Sequence, residues 1–369
     1  MAKARSGQKP GQQSLARLRA RIDRLDREIL KLLNERARLA AEIGRLKREN
    51  GLAVYSPARE EEVIQHVLAR NQGPLSDTCV RAIFRELMSG SRALQKTVRI
   101  AYLGPEYSFS YIAAHERFGH PADYVGVNSI AAVFEEVAYH QVDFGVVPLE
   151  NTTDGGISET LDMLVRMPLH ICGEIRLRIH HYLLARCPQK DILRVYSKPQ
   201  ALSQCRRWLA EHLPHAQLIE VASTTTAAQL AQTEPHAAAV ASRQAGVQYG
   251  LDVVAERIED YAHNVTRFAI IGELREKKTG NDRTTILFKV PHKPGSLADA
   301  LTIFKRNRVN LTWIESFPLH GTEQEYVFFA DLQGHVEQSP VRKALAALER
   351  KAEMLHVLGS YPVSPVYDE

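Results

Sequence analysis

Cysteine is scarce in this chain and its positions are scattered. Of 369 residues four are cysteine, Cys79, Cys172, Cys187 and Cys205, and no two stand at metal-ligand spacing. Inert thiols in a reducing compartment fit that usage. No apolar run is long enough to cross a membrane. The stretch from Met1 to Gln13 is polar and basic and lacks the apolar centre of a secretory signal. These absences predict a cytoplasmic protein with residues 1–13 as a disordered tail. What remains is ordinary: 44% hydrophobic and 24% charged residues describe a soluble globular chain, and its length predicts two or three domains. Charge is uneven. Residues 1–97 hold 20 Lys and Arg against 11 Asp and Glu, a surplus of +9 within a total of +4, so the remainder carries −5. A basic first segment suits nucleic acid, an anionic membrane or an anionic metabolite.

From Leu15 the apolar positions run Leu18, Ile22, Leu25, Ile29, Leu32, then Leu39, Ile43 and Leu46. Steps of three and four residues predict a long helix with a coiled-coil stripe, uninterrupted before Gly44. One stripe position holds Arg36, and a guanidinium in an apolar seam is costly unless an anion pairs with it. Lys47 lies about 20° around the helix and roughly 16 Å further along, so the two cations share a face. Arg19, about 100° off that face, can join the same site only from a paired helix of a second subunit. A dimeric coiled coil with a register-setting polar residue explains the same pattern. Ser56-Pro57 predicts the start of a second helix, with Glu60, Glu61 and Glu62 in its first turn. A third helix over about 77–96 places Ser91 and Gln95 on one face.

Arg36 and Lys47 on one helix, Arg59-Glu60 on the next, and Ser91 with Gln95 on a third resemble the all-helical chorismate mutase family over residues 14–97. The resemblance implies an intertwined homodimer in which Arg19 reaches the partner's site. It implies that Arg19, Arg36 and Arg59 hold substrate carboxylates, that Lys47 and Gln95 donate to the ether oxygen, and that Glu60 accepts from the ring hydroxyl with Ser91 in support. Ser56 stands where many members carry a charged residue. Chorismate to prephenate is a pericyclic rearrangement. It needs a dianion folded into a compact conformer and charge stabilised on the ether oxygen, with no nucleophile or metal.

From Arg99 the period changes. Strands at 100–104, near 124–127 and at 144–147 alternate with helices, and the pattern recurs between about 194 and 246. That predicts a mostly parallel α/β sheet and a second α/β lobe, with His180-His181-Tyr182 as the crossing and a return near Leu251. Polar clusters mark the junctions: Tyr107 to Ser110, Pro148 to Thr152, Ser197 to Gln200, Ser223 to Thr226, and Thr266-Arg267 at the mouth of an apolar strand. Each alone reads as a cap or turn. Together they predict a ligand cleft rich in hydroxyl and amide donors.

Leu103-Gly104-Pro105, Val147 to Asn151, Ser197 to Gln200 and Thr266-Arg267-Phe268 resemble, in order, the signatures of prephenate dehydratase over residues 98–275, a fold like two-lobed solute-binding proteins. Tyr107 departs from the glycine usual there. The resemblance marks Thr266 as catalytic and Arg267 as a candidate partner for the substrate carboxylate. Ser110, Asn151, Ser197, Gln200, Thr224 and Phe268 are expected around the substrate. Glu150 is open as proton source or structural residue. Prephenate loses carbon dioxide and a ring hydroxyl together, and aromatisation drives the loss without a cofactor.

Residues 276–282 predict a linker. The order βαββαβ over 283–362 predicts a ferredoxin-like α+β module. It resembles the ACT regulatory domain, which in dehydratases binds phenylalanine at a subunit interface. Gly295, Ser296 and Leu297 stand for the usual Gly-Ala-Leu, and Glu315, Ser316 and Phe317 for the usual Glu-Ser-Arg. Phe317 in place of that arginine predicts weaker inhibition by phenylalanine. Residues 363–369 read as a tail. The expected whole is an all-α three-helix mutase domain, a two-lobed α/β dehydratase domain and an α+β sensor. It would use no cofactor, with chorismate, prephenate and phenylalanine as small-molecule partners, and nucleic acid and membrane as none. A metabolite-sensing regulator is the alternative, but residues 77–97 lack the tight turn of a helix-turn-helix. A mutase with a degenerate dehydratase is a third reading.

Overall fold

The computed structural model describes residues 10–50, 55–319 and 325–368. Residues 1–9 of the expected N-terminal tail therefore lie outside the described residues. Helix α1 (Pro10–Glu49) begins inside that tail, so residues 10–13 are helical. Forty residues at about 1.5 Å each make it roughly 60 Å long. Its stripe from Leu15 to Leu46 is left in solvent, at 47 to 64% exposure. Only its C-terminal part meets α2 (Pro57–Leu68) and α3 (Asp77–Ala93). Both shorter helices are capped as their sequences demand, by Ser56 and Ser76 accepting from the third residue on.

The first dehydratase lobe comprises β1 (Arg99–Leu103), α4 (Phe109–Phe118), β2 (Asp123–Val127), α5 (Ile130–Ala138), β3 (Phe144–Asn151), β4 (Gly155–Gly156), α6 (Ser158–Arg166) and β5 (His170–Arg178). The second holds β6 (Tyr182–Ala185), β7 (Arg194–Ser197), α7 (Pro199–Gln204), α8 (Arg206–His212), β8 (Gln217–Glu220), α9 (Thr224–Thr233), β9 (Ala237–Ala241), α10 (Arg243–Gln248) and β10 (Asp252–Ala255). The chain then re-enters the first lobe as β11 (Val265–Gly272). The third unit is β12 (Asp282–Lys289), α11 (Ser296–Arg306), β13 (Leu311–Pro318), β14 (Tyr326–Gln333), α12 (Ser339–Glu349) and β15 (Met354–Pro362), the βαββαβ order expected.

Both lobes depart from the mostly parallel sheets expected. In the first, β1 pairs parallel with β2 and β3, but β11 runs antiparallel between β3 and β5. In the second, β6 is antiparallel to its neighbours β10 and β9. The reason is topological: the strands next to the crossings are entered from the other lobe and run the opposite way. The expected C-terminal tail is also a strand. β16 (Val366–Asp368) lies parallel on β5 at the edge of the first-lobe sheet, and Arg178 pairs with Asp368 at 2.9 Å. Residues 276–282 are not a loose tether either. Glu276 is buried and accepts from Ala58 N at 3.1 Å, and Asp282 accepts from Thr279 N at 2.9 Å.

The third unit packs on the first-lobe sheet through a shared core. Val147, Leu149, Ile171 and Ile271 meet Leu287, Phe317, Phe329 and Leu358. Backbones approach so closely that a Cβ on Gly359 would fall 2.0 Å from Ile171 O. Because that neighbour is main chain, it has little room to give. Gly359→Ala is expected to destabilise the chain by about 1–3 kcal/mol in denaturant unfolding, and an unchanged midpoint would contradict this close packing.

Candidate functional sites in the helical and two-lobed units

A cavity of about 250 Å³ opens where α1 crosses α2 and α3. Arg36 and Lys47 enter from α1, Arg59 and Glu60 from α2 with its cap Ser56, and Ser91 and Arg92 from α3 with Gln95 just past its end. Arg36 donates to Ser91 Oγ at 3.0 Å, and Ser91 donates onward to Leu87 O at 2.7 Å. Gln95 donates to Ser91 O at 3.4 Å. Among the described residues, four cations and one carboxylate line this space. Burial and, after it, the charge of Arg59 lower the Arg36 pKa, as expected where a cation waits for an anion. Ser56 spends its hydroxyl on the helix cap, accepting from Arg59 N at 3.4 Å.

One sequence expectation changes here. Glu60 lines the cavity, but its carboxylate is already held by Arg92 and, at 3.7 Å, by Arg117. Arg92 escaped sequence reading because a mid-helix arginine usually faces water, whereas this one is 6% exposed. Arg19 is exposed and does not line the cavity; it sits about 26 Å up the helix from Arg36.

The second site forms where β3 and β11 end side by side, with Thr266 directly opposite Asn151. Asn151 Nδ2 donates to Thr266 Oγ1 at 2.8 Å and to Asn264 Oδ1 at 2.9 Å. Asn264 passes the chain to Gln204 Oε1 at 2.9 Å, where His181 Nε2 lies 2.8 Å away. Gln204 Nε2 donates to Asp154 at 2.8 Å and Thr153 at 3.0 Å, and Gln200 reaches the same Asp154 carboxylate. Burial pushes the His181 pKa down, so the ring is neutral near pH 7. By accepting from Asn151, Thr266 keeps its own hydroxyl proton for donation. Gln204, Asn264 and His181 are the residues that sequence reading missed as a network. The signal was present in the paired histidines and in the amide preceding Thr266.

Several expected residues are placed elsewhere. Arg267 points to the opposite side of β11 from Thr266, as successive strand residues must. It is 4% exposed, pairs with Glu150 at 2.9 Å, Asp331 at 2.6 Å and Glu174 at 3.6 Å, and lies 5.1 Å over the Trp313 ring. Desolvation alone would lower its pKa, but these carboxylates, Asp331 foremost, raise it. It is a tie to the third unit rather than a partner in the cleft. Glu150 faces the same way and is spoken for. Phe268 is 1% exposed within the apolar core beside Tyr102, Ile112 and Ile175, so it cannot touch a ligand. Ser197 is fully buried and donates to Val240 O at 2.6 Å. Ser110 and Thr224 sit in the first turns of α4 and α9, joined to the Thr266 network by no hydrogen bond among the described residues. Tyr107 holds φ of 64°, the left-handed region where glycine is usual, and Ser242 Oγ donates to its carbonyl at 3.1 Å.

In the third unit Gly295, at φ of 85°, opens α11. Ser296 and Leu297 border a cavity of about 220 Å³ with Lys289, His292 and Glu353. Glu315 and Ser316 lie on the edge strand β13 and do not line that cavity; Glu315 lies against Gly156 of the dehydratase lobe. Phe317 is buried in the core that the third unit shares with the first lobe, a position an unpaired arginine could not share.

The geometry agrees with what the chain resembles. Residues 18–96 match chorismate mutase type II, residues 100–276 prephenate dehydratase, and residues 284–350 the ACT domain. A bifunctional chorismate mutase/prephenate dehydratase of Aquifex aeolicus is 43% identical over 95% of this chain and 98% of its own length. One from Pseudomonas aeruginosa is 41% identical over 95% and 98%. The chain belongs to the bifunctional chorismate mutase/prephenate dehydratase family. A solved prephenate dehydratase from Arthrobacter aurescens, in complex with L-Phe, is 33% identical with a TM-score of 0.67, covering 72% of this chain and 90% of that one. The enzyme therefore converts chorismate to prephenate and prephenate to phenylpyruvate, two steps of phenylalanine biosynthesis. Among the described residues no helix is long and apolar enough to cross a membrane.

Gly44 gives the mutase cavity a simple test. It is the buried position of α1 that faces Gln95, and a Cβ there would lie 2.3 Å from the Gln95 side chain. Gly44→Ala is expected to push that amide aside and lower kcat/KM for chorismate about tenfold, a loss of roughly 1.4 kcal/mol. Prephenate turnover should be untouched, and equal loss of both would contradict the assignment.

Proposed function

We propose that the two reactions run at separate sites, with the mutase site completed only in a homodimer and the dehydratase site centred on Thr266. One observation carries the dimer: the α1 stripe from Leu15 to Leu46 lies exposed at 47 to 64% on a roughly 60 Å helix. An apolar seam of that length requires a partner, and a second copy of α1 offers a matching one. Antiparallel pairing would carry Arg19 of one chain to the Arg36 cavity of the other. In that site Arg36, Arg59 and the second chain's arginine hold the two carboxylates. Lys47 and Gln95 donate to the ether oxygen, and Glu60 takes the ring hydroxyl through a lone pair that its arginines leave open.

At the second site the Thr266 hydroxyl donates to the departing ring hydroxyl, held in line by Asn151. Threonine is too weak an acid to ionise, so it acts as a positioned donor. Since Arg267 is committed elsewhere, hydroxyl and main-chain donors at the first turns of α4 and α9, with Ser110 and Thr224, suit the remaining carboxylate. Phenylalanine is the effector of the third unit, supported by the L-Phe complex of the Arthrobacter aurescens relative. With Phe317 committed to the shared core, inhibition is weaker than in relatives with arginine there. Four free thiols, two of them buried, suit a cytoplasmic setting.

Mixing variants tests the shared site. Arg19→Ala and Arg36→Ala should each abolish chorismate turnover alone. Co-refolded in equal amounts, half of the dimers would be mixed, each with one intact site, restoring about a quarter of wild-type activity. No recovery would place each mutase site within one chain. Thr266→Ala should remove phenylpyruvate formation and spare chorismate turnover; unchanged phenylpyruvate formation would take Thr266 out of the mechanism.

A further inference from the structure

Glu60 is the only carboxylate lining the mutase cavity among the described residues, and neither of its oxygens is free to swing. Arg92 Nη1 binds Oε1, and Arg117 Nη1 lies 3.7 Å from Oε2. Arg92 belongs to the helical unit. Arg117 does not: it is in α4 of the dehydratase lobe, the helix whose first turn carries Ser110. The two arginines are set as one device. Arg92 also donates to Phe118 O at 2.7 Å, the residue after Arg117. Both guanidinium groups stand over the Tyr55 ring, at 4.9 and 5.6 Å. Side chains of Arg92, Arg117 and Glu60 are 7, 14 and 15% exposed, so water does little to screen them.

A carboxylate that must accept a hydroxyl hydrogen bond in a compact transition state gains from being held ionised and in one rotamer. The single-chain mutase residues supply one of its two supports. We propose that Arg117, a residue of the dehydratase domain, is a positioning residue for the mutase reaction: it fixes Glu60, so that the mutase site is complete only when the second domain is docked against it. The inference rests on the reading that Glu60 receives the substrate's ring hydroxyl. It gives the fusion of the two enzymes a physical consequence in the first active site, independent of any passage of prephenate between them.

The test is steady-state kinetics of both reactions on the full chain carrying Arg117→Leu, Arg117→Lys, Glu60→Gln, or Glu60→Gln with Arg117→Leu. Arg117→Leu should lower kcat/KM for chorismate about tenfold, the scale of one opposite charge removed from beside a half-screened carboxylate. Prephenate turnover should stay within about twofold, which also shows that the dehydratase domain is folded, and Arg117→Lys should recover most of the loss. In the Glu60→Gln background Arg117→Leu should cost nothing further, because its effect passes through that carboxylate. An Arg117→Leu loss of the same size in both backgrounds, or a parallel fall of both activities, would make Arg117 merely structural and overturn the proposal. If Glu60→Gln alone is costly while Arg117→Leu is silent, the proposal fails and the reading of Glu60 stands. If Glu60→Gln is itself silent, that reading fails and takes the proposal with it. Arg117→Gln, closer in shape, replaces the leucine variant should that one not fold.

Discussion

A guanidinium taken out of water must be met by carboxylates, and Arg267 is met by three. Glu150 and Glu174 come from the dehydratase sheet and Asp331 from the middle of the third unit. Arg283 of β12 joins them, 2.8 Å from Glu174 and 3.5 Å from Asp331, so two cations face three acids. Removing one partner of such a buried set costs about 3–5 kcal/mol, a large part of any domain's stability. The cluster therefore decides how β11 is used. One face is pledged to the third unit, and the other carries Thr266 with its hydrogen bond from Asn151.

The same logic recurs at the other junction. Arg92 and Arg117 meet Glu60 between the helical unit and the dehydratase lobe, while Glu276 caps the start of α2 through Ala58 N. The C-terminal strand β16 returns to the edge of β5, and Ser364 N donates to Glu174 at 3.0 Å, tying the chain's end to the Arg267 cluster. Each candidate site thus meets a neighbouring unit: Glu60 faces Arg117 of α4, and the strand of Thr266 is tied through Arg267 to Asp331 of β14. Movement in the sensor has a short route to Thr266, one residue along β11 and through a single ion pair.

Much of this was legible in the residues. The three-four stripe of α1 with Arg36 in it announced both the helix and the cavity, because a charge at an apolar position needs a reason. The βαββαβ order was readable because each segment has its own period and turn residues. Polar strand ends marked the junction where Asn151 meets Thr266. What stayed hidden was direction. Adjacent residues of a strand face opposite ways, so Thr266 and Arg267, neighbours in the chain, serve different partners, and nothing in their order says which faces the cleft. Phe268 looked like part of a motif and is core. The antiparallel course of β11 follows from where the chain re-enters, which local patterns do not encode. Three residues at the C-terminus carry too little pattern to reveal an edge strand, and Arg92 became visible only once its buried partners were known.

Arg267 ties the dehydratase sheet to the third unit through Glu150 and Asp331. Equilibrium unfolding combined with prephenate kinetics on Asp331→Asn, Arg267→Met and the double variant measures this directly. Each single change should cost about 3 kcal/mol of stability, the double should cost clearly less than their sum, and Asp331→Asn should leave KM for prephenate within about twofold of wild type. An Arg267→Met chain of unchanged stability and sharply raised KM for prephenate would put the guanidinium back in the cleft and contradict the account.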